Sequence, residues 1–254
     1  MLTRARFLLS IFAATVASSA GAAVAQPGNG GDMSSVAQSF NRIMAWAGKE
    51  LPMLVESMRP GASEAEIASL EAVIGQSLPD DVRALYALAD GQTPFEFGKT
   101  PHYPGLFFGH PFNPIESVKR DWSQWQSIDR SINDDSEFES SFPPGAVKAL
   151  VTNPGWIPLS DDAGGNHMGV DLDPGPHGNP GQWIVFGTDE QEKVRVASSL
   201  GALLSWIAGE IEQGHLVVQS GAAAGESGPW LWREGEHHFH DAIRKHLKAG
   251  GKVG

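Results

Sequence analysis

Cysteine is missing from all 254 residues. No disulfide can brace this fold, and no thiol can act as a nucleophile or a soft metal ligand. A lipid-anchored bacterial lipoprotein needs a cysteine at its cleavage site, so that fate is excluded. Acidic residues are missing before Asp32. In that stretch Arg4 and Arg6 precede an apolar run from Phe7 to Val16, and Ala23, Val24 and Ala25 offer a small-x-small site before Gln26. This reads as an export signal cleaved after Ala25. The region is too short, and too interrupted by Ser10, Ser18, Ser19 and Gly21, for a spanning helix. The expected location is therefore periplasmic or secreted, with no membrane insertion after cleavage. Arg4 and Arg6 are not adjacent, so a twin-arginine route is not indicated.

Positive charge is scarce as well. There are 18 Lys and Arg against 30 Asp and Glu, a net −12, and loss of Arg4 and Arg6 with the leader deepens this to −14. Such a surface repels nucleic acid and anionic lipid. It suits a basic protein partner, although plain solubility would also account for it.

The motifs of common enzymes are absent too. The sequence has no G-x-S-x-G elbow, no H-E-x-x-H pair, no EF-hand order and no phosphate-binding glycine loop ending in Lys-Ser/Thr. No catalytic residue, cofactor or metal site is assigned on this basis, and there is no internal repeat.

What is present is a chain with 41% hydrophobic residues, enough for one sizeable core, and with 30 Gly and 17 Pro, which imply many turns. Residues 26–33 read as a flexible leader. From Ser34, Phe40, Ile43, Met44, Ala47, Leu51 and Leu54 recur at helical steps, with Pro52 expected to split the helix. Ser63 and Glu66 form a capping box before an apolar stripe that Gly75 should end. Another helix opens at Pro79-Asp80-Asp81, with Gly91 as its terminator. Ile115, Val118, Trp122, Trp125 and Ile128 mark a further helix, and Ser198 or Ser199 caps the last strong one. Strands are expected at 106–108, 149–152, 156–159, 168–172, 183–186 and 194–197, separated by turn residues as in an antiparallel sheet. Ser131 to Ser141 reads as a mobile acidic loop. Beyond Gly214 a tail mixes aromatics, histidines and bases.

The densest cluster of polar groups is "SDDAGGNHMGVDLDP", Ser160 to Pro174. Asp161, Asp162, Asn166, His167, Asp171 and Asp173 could hold a hard cation or a basic partner if they share a rim. Equally, the aspartates could satisfy the amides of a glycine hairpin. In the tail, His237, His238, His240 and His246 could bind zinc weakly, but solvated surface histidines are the favoured reading. Trp122, Trp125, Trp156 and Trp183 could stack on sugars if exposed, but their apolar spacing favours burial.

The order of segments is informative: "SEAEIASLEAVIG", "LPDDVRALYALADGQ", "GLFFG", "WIPLSDDAGGNHMGVDLDP", "GQWIVFG" and a closing helix after "VASSL". In this order the chain resembles the Smi/Knr family of cell-wall assembly regulators, part of the SUKH superfamily, from about Gly61 to Gly209. The resemblance implies an α+β fold, with a curved antiparallel sheet of about five to six strands packed against several helices. It assigns 61–214 to that domain, with 26–60 as leader and N-terminal helix and 215–254 as a tail with a short helix. It implies no catalytic activity. It suggests instead a module that binds a protein, such as a toxin neutralised by an immunity protein or an enzyme of the cell wall. Direct glycan binding and a metal-dependent enzyme built on the aspartate-rich turn are the alternatives. Pro79, Trp156, Pro158, Gly164, Gly165 and Gln182 would be architectural, with Trp156 and Pro158 leading out of a strand. Asp161, Asp162, Asn166, His167, Asp171 and Asp173 would form a candidate acidic rim.

Overall fold

The computed structural model describes residues 33–218, 230–232 and 238–253. The expected leader, His237 and the small-residue stretch from Ser220 to Gly228 lie outside the described residues. The helices are α1 (Met33–Glu50), α2 (Pro52–Ser57), α3 (Glu64–Ile74), α4 (Asp80–Leu88), α5 (Ile115–Gln126), α6 (Leu200–Glu212) and α7 (Phe239–Lys248). The strands are β1 (Ser140–Phe142), β2 (Trp156–Asp161), β3 (Asn166–Asp171), β4 (Gln182–Gly187), β5 (Glu192–Ala197), β6 (Leu216–Val218) and β7 (Trp230–Trp232). None of the described helices is long and apolar enough to cross a membrane.

The helix boundaries follow local chemistry. Pro52 lacks the amide that would continue α1, and a new helix starts there. Ser63 and Glu66 complete a reciprocal capping box on α3, and Gly75 ends it in the left-handed region at φ 70. Pro79 stands at the N-cap of α4, one position outside the first turn where it was expected. That helix stops at Leu88, before Gly91. The Ser199 hydroxyl accepts from the Ala202 amide and caps α6.

The main sheet is open, with order β1-β5-β4-β3-β2. Its β2–β5 pairings are antiparallel, whereas β1 joins β5 in parallel and makes the sheet mixed. Period-two alternation sorts the side chains. Ile157, Leu159, Met168, Val170, Trp183, Val185, Val194 and Val196 join the main core, while Trp156, Ile184 and Phe186 form a smaller cluster with Val147. Burial on both faces explains why these strands read as apolar runs. Residues of α1, α3, α4, α6 and α7 all enter the main core. Helices α1 and α7, which lie outside the segment 61–214, are thus part of the same apolar interior.

Two strand expectations fail for one reason, a side chain that satisfies amides a strand neighbour would otherwise take, and a loop expectation fails for another. At 106–108, the Gln92 side-chain oxygen accepts from the Leu106 and Phe112 amides, and the chain folds into a tight turn with Phe107 bridged to His110. At 149–152, Asn133 Oδ1 accepts from the Val151 and Thr152 amides, so no strand forms. The supposed mobile loop at 131–141 is a 3-10 helix, Arg130–Phe138, capped by Asp129 and followed by the edge strand β1. Buried Lys193 pairs with Glu139 and anchors that segment to β5.

Candidate functional site

Strands β2 and β3 form a hairpin whose turn is the Ala163-Gly164-Gly165 segment. Ala163 and Gly165 take positive φ, 60 and 97, and Gly164 does not. The turn is held by its aspartates. Asp161 Oδ1 accepts from the Ala163 amide and Oδ2 from Asn113 Nδ2. Asp162 Oδ1 accepts from the Gly164 and Asn166 amides at 2.7 and 3.0 Å, and Oδ2 from the Asn166 side chain at 2.8 Å. Burial opposes ionisation of Asp162, but these hydrogen bonds outweigh it and hold the carboxyl below its usual range. This is turn chemistry of the kind aspartate supplies.

The six residues of the expected rim do not share one rim. Asn166 and His167 are buried, and burial pushes the His167 imidazole down. The Asp171 side chain is fully enclosed at the opposite end of β3, about 17 Å along the strand from Asn166. It accepts from Gln182 Nε2 and from the Asp173 amide. Asp173 pairs with Lys148 and Asn153. A single metal centre using Asp161, Asp162, His167, Asp171 and Asp173 is therefore geometrically ruled out. Of the architectural residues, Trp156 and Pro158 lie inside β2 and do not lead out of it. The register shift between Pro158 and Ser160 lets an edge strand accommodate the proline. Gln182 is fully buried and ties Asp171 to the Ala146 carbonyl. Trp156 and Trp183 are buried, and Trp122 and Trp125 are half-buried, as their spacing suggested.

Chemistry-bearing groups converge elsewhere. The start of α7 lies beside the hairpin turn and brings His238 and His240 to Asp162. His110, from the turn after Phe107, stacks on His240 with ring centroids 4.7 Å apart and meets His238 edge-on at 5.1 Å. Burial and the neighbouring His240 and His238 push His110 down to about 3. Burial, then His240, also pushes His238 down. Behind them His240 Nδ1 faces Glu190 Oε1 at 3.1 Å, and Arg244 pairs with the same glutamate. Burial opposes ionisation of Glu190, but the His240 hydrogen bond and the Arg244 charge keep its carboxyl low. The cluster thus combines two imidazoles, His110 and His238, pushed toward the neutral form with the ionised carboxylates of Asp162 and Glu190. His240 is buried, contrary to the solvated-surface reading of the tail.

Asp162 and His238 stand on the wall between two hollows. One is a cleft of about 380 Å³, flanked by Phe95, His102, Tyr103 and Phe112. The other, about 500 Å³, is floored by Glu190, Asp241 and Arg244. Phe95, in the cleft wall, is 58% exposed. His110, Glu190 and Arg244 escaped sequence reasoning because nothing local in the chain links them to the hairpin turn; only the docking of α7 does.

The sequence model of the SMI1 / KNR4 family (SUKH-1) matches residues 61–206, more than half of the chain. The chain belongs to the SMI1/KNR4 family. Similar proteins include the "Cell wall biosynthesis/cell cycle regulator smi1" of Schizosaccharomyces pombe, 35% identical over 193 residues, covering 72% of this chain and 37% of that protein. The "Glucan synthesis regulatory protein" of Neurospora crassa is 29% identical over 215 residues, covering 72% and 40% respectively. The "Cell wall assembly regulator SMI1" of Saccharomyces cerevisiae is 27% identical over 206 residues, covering 70% and 40%. The chain thus spans about two fifths of the length of these SMI1/KNR4 relatives, all of them named as regulators. In the SMI1/KNR4 domain seen here, the aspartates of this segment mainly accept from turn amides and neighbouring side chains, and Asp162 brings its carboxylate to the histidine cluster.

Proposed function

We propose that this chain is an exported, non-enzymatic protein-binding module that regulates a cell-wall process through a basic protein partner. Membership of the SMI1/KNR4 family carries the reading, because its relatives are named for cell-wall assembly and glucan synthesis. The acidic balance of the chain supports a basic partner. The cleft lined by exposed Phe95, with exposed Phe97 two residues along the chain, supplies the binding face, since exposed aromatics next to a concave wall are characteristic anchors of protein interfaces. Export rests on the leader before Gln26.

The test is affinity capture from cell-envelope extract at low and high salt, with the chain and its Phe95→Ser/Phe97→Ser variant as parallel baits. A basic cell-wall protein retained at low salt, and lost both at high salt and with the variant, is the expected result. Capture of a secreted toxin instead would replace the regulatory reading with immunity. Failure to recover any protein, with the chain pelleting on peptidoglycan or glucan, would replace it with glycan binding. Export is checked separately by N-terminal sequencing of the chain from the envelope fraction, which should begin at Gln26.

A further inference from the structure

Asp162, His238 and His240 each bring one possible ligand atom to within 4.8 Å of the others. They arrive from opposite parts of the chain, the β2–β3 turn and the start of α7. We propose that these three side chains bind one divalent transition-metal cation of the zinc class, which fastens α7 to the hairpin turn. Two imidazoles and a carboxylate form a donor set that suits such an ion. A tetrahedral zinc with bonds of about 2.05 Å separates its ligand atoms by about 3.3 Å. Asp162 Oδ2 and His238 Nε2 already stand 3.8 Å apart, so closure needs only side-chain adjustment.

The orientation of His240 is the deciding observation. Its ring is 1% exposed and its Nδ1 faces the Glu190 carboxylate. An ionised carboxylate can only accept, so Nδ1 carries the hydrogen, and in the neutral ring the lone pair then lies on Nε2, the nitrogen left to bind a metal. That Nε2 is buried and has no hydrogen-bond partner among the described residues. A carboxylate fixing the far nitrogen of a histidine is the outer-shell arrangement of metal-bound imidazoles. Glu190 is itself held by Arg244. On the other side, Asp162 Oδ1 is committed to turn amides and Oδ2 accepts from the Asn166 side chain, which fixes the carboxylate with a second lone pair of Oδ2 available to an ion beside His238. An ordinary pair of ion contacts, His238 with Asp162 and His240 with Glu190, would leave the buried His240 Nε2 unexplained. His110, stacked on His240, walls the inner side. Asp162 and His238 line the hollows, so the fourth position opens to water or to a side chain of a bound protein.

The test uses the full chain without a histidine tag, stripped with chelator and titrated with Zn²⁺ by calorimetry and with Co²⁺ by visible absorption. One ion per chain, the intense bands of tetrahedral cobalt and a raised Tm are expected. His238→Ala, at a half-exposed position that tolerates truncation, should weaken binding at least about tenfold, and His240→Gln should do the same. His177→Ala, at an exposed histidine remote from the cluster, should leave binding unchanged, with circular dichroism verifying the fold of each variant. Absence of saturable binding at one equivalent would overturn the proposal. So would wild-type affinity in both His238→Ala and His240→Gln.

Discussion

At the scale of single residues, the most consequential carboxyl is Asp171. Burial raises it from the ordinary 3.8 to about 6, although Gln182 and the Asp173 amide donate to it. Between those two values the folded chain holds a proton that the unfolded chain has released. The stability belonging to that proton is full below about 4 and is lost as pH rises through about 6. The shift corresponds to roughly 2–3 kcal/mol, because each pKa unit is worth about 1.4 kcal/mol. Asp171→Asn abolishes the titration. Urea midpoints of the wild type and the variant, taken at pH 4 and pH 7, should therefore diverge. The wild type should gain on Asp171→Asn by about that amount at the lower pH. Parallel behaviour at both pH values would mean that Asp171 ionises in the native state as easily as in the unfolded chain. The sequence showed Asp171 as one of a pair flanking Leu172, and nothing in that pattern distinguished a rim carboxylate from an enclosed one. The distinction came from Gln182, whose side chain closes over it from the neighbouring strand.

At the scale of elements, the hairpin depends on a close approach that only glycine permits. A β-carbon on Gly169 would overlap the Ile157 carbonyl and come within 3.0 Å of the Leu159 amide, where β2 bulges past Pro158. Both obstructing groups are backbone in the centre of a buried pair, so they cannot step aside. Gly169→Ala should cost about 3 kcal/mol or more in chemical denaturation. Gly48→Ala supplies the opposite sign. It lies within α1 with nothing near a new β-carbon, and relieving backbone entropy there should add up to about 1 kcal/mol. Equal effects at the two positions would refute the steric account. The same contrast explains what the sequence made legible. Capped helices and strands with turn residues at both ends were readable because their signals are local: Ser63 with Glu66, Pro52, Ser199, and the apolar runs of β2 to β5. The failures at 106–108 and 149–152 were not readable. Gln92 and Asn133 act across 14 and 18 residues respectively, and no periodicity in the supplanted segments records that.

At the scale of the whole molecule, the C-terminal helix belongs to the core and to the candidate site at once. Phe239, Ala242 and Ile243 sit at i, i+3 and i+4, the spacing that puts them on one face, and all three are buried. Phe239 lies against Phe108, Trp206 and Trp232, with ring centroids 4.8, 6.5 and 6.2 Å away. On its polar side α7 is tied to β5 by Arg244 and Lys248, both paired with Glu192. A segment judged by composition as an appendage thus fills a space that the matched segment, 61–206, leaves open. Its histidines looked solvated because sequence shows their number and spacing but not the carboxylates that meet them.

Phe239→Ala should therefore behave as a core truncation, costing about 3–5 kcal/mol and lowering Tm in one cooperative transition. Because the same helix carries His238 and His240, the variant should also lose metal affinity, although it removes no ligand atom. The two effects can be separated. Saturating zinc stabilises only the state that binds it, so it should raise the Tm of the wild type and do little for Phe239→Ala. If Phe239→Ala instead unfolded in two steps, with the first confined to α7, the helix would be a separable element. Its docking to Asp162 could then be gained and lost without disturbing the sheet.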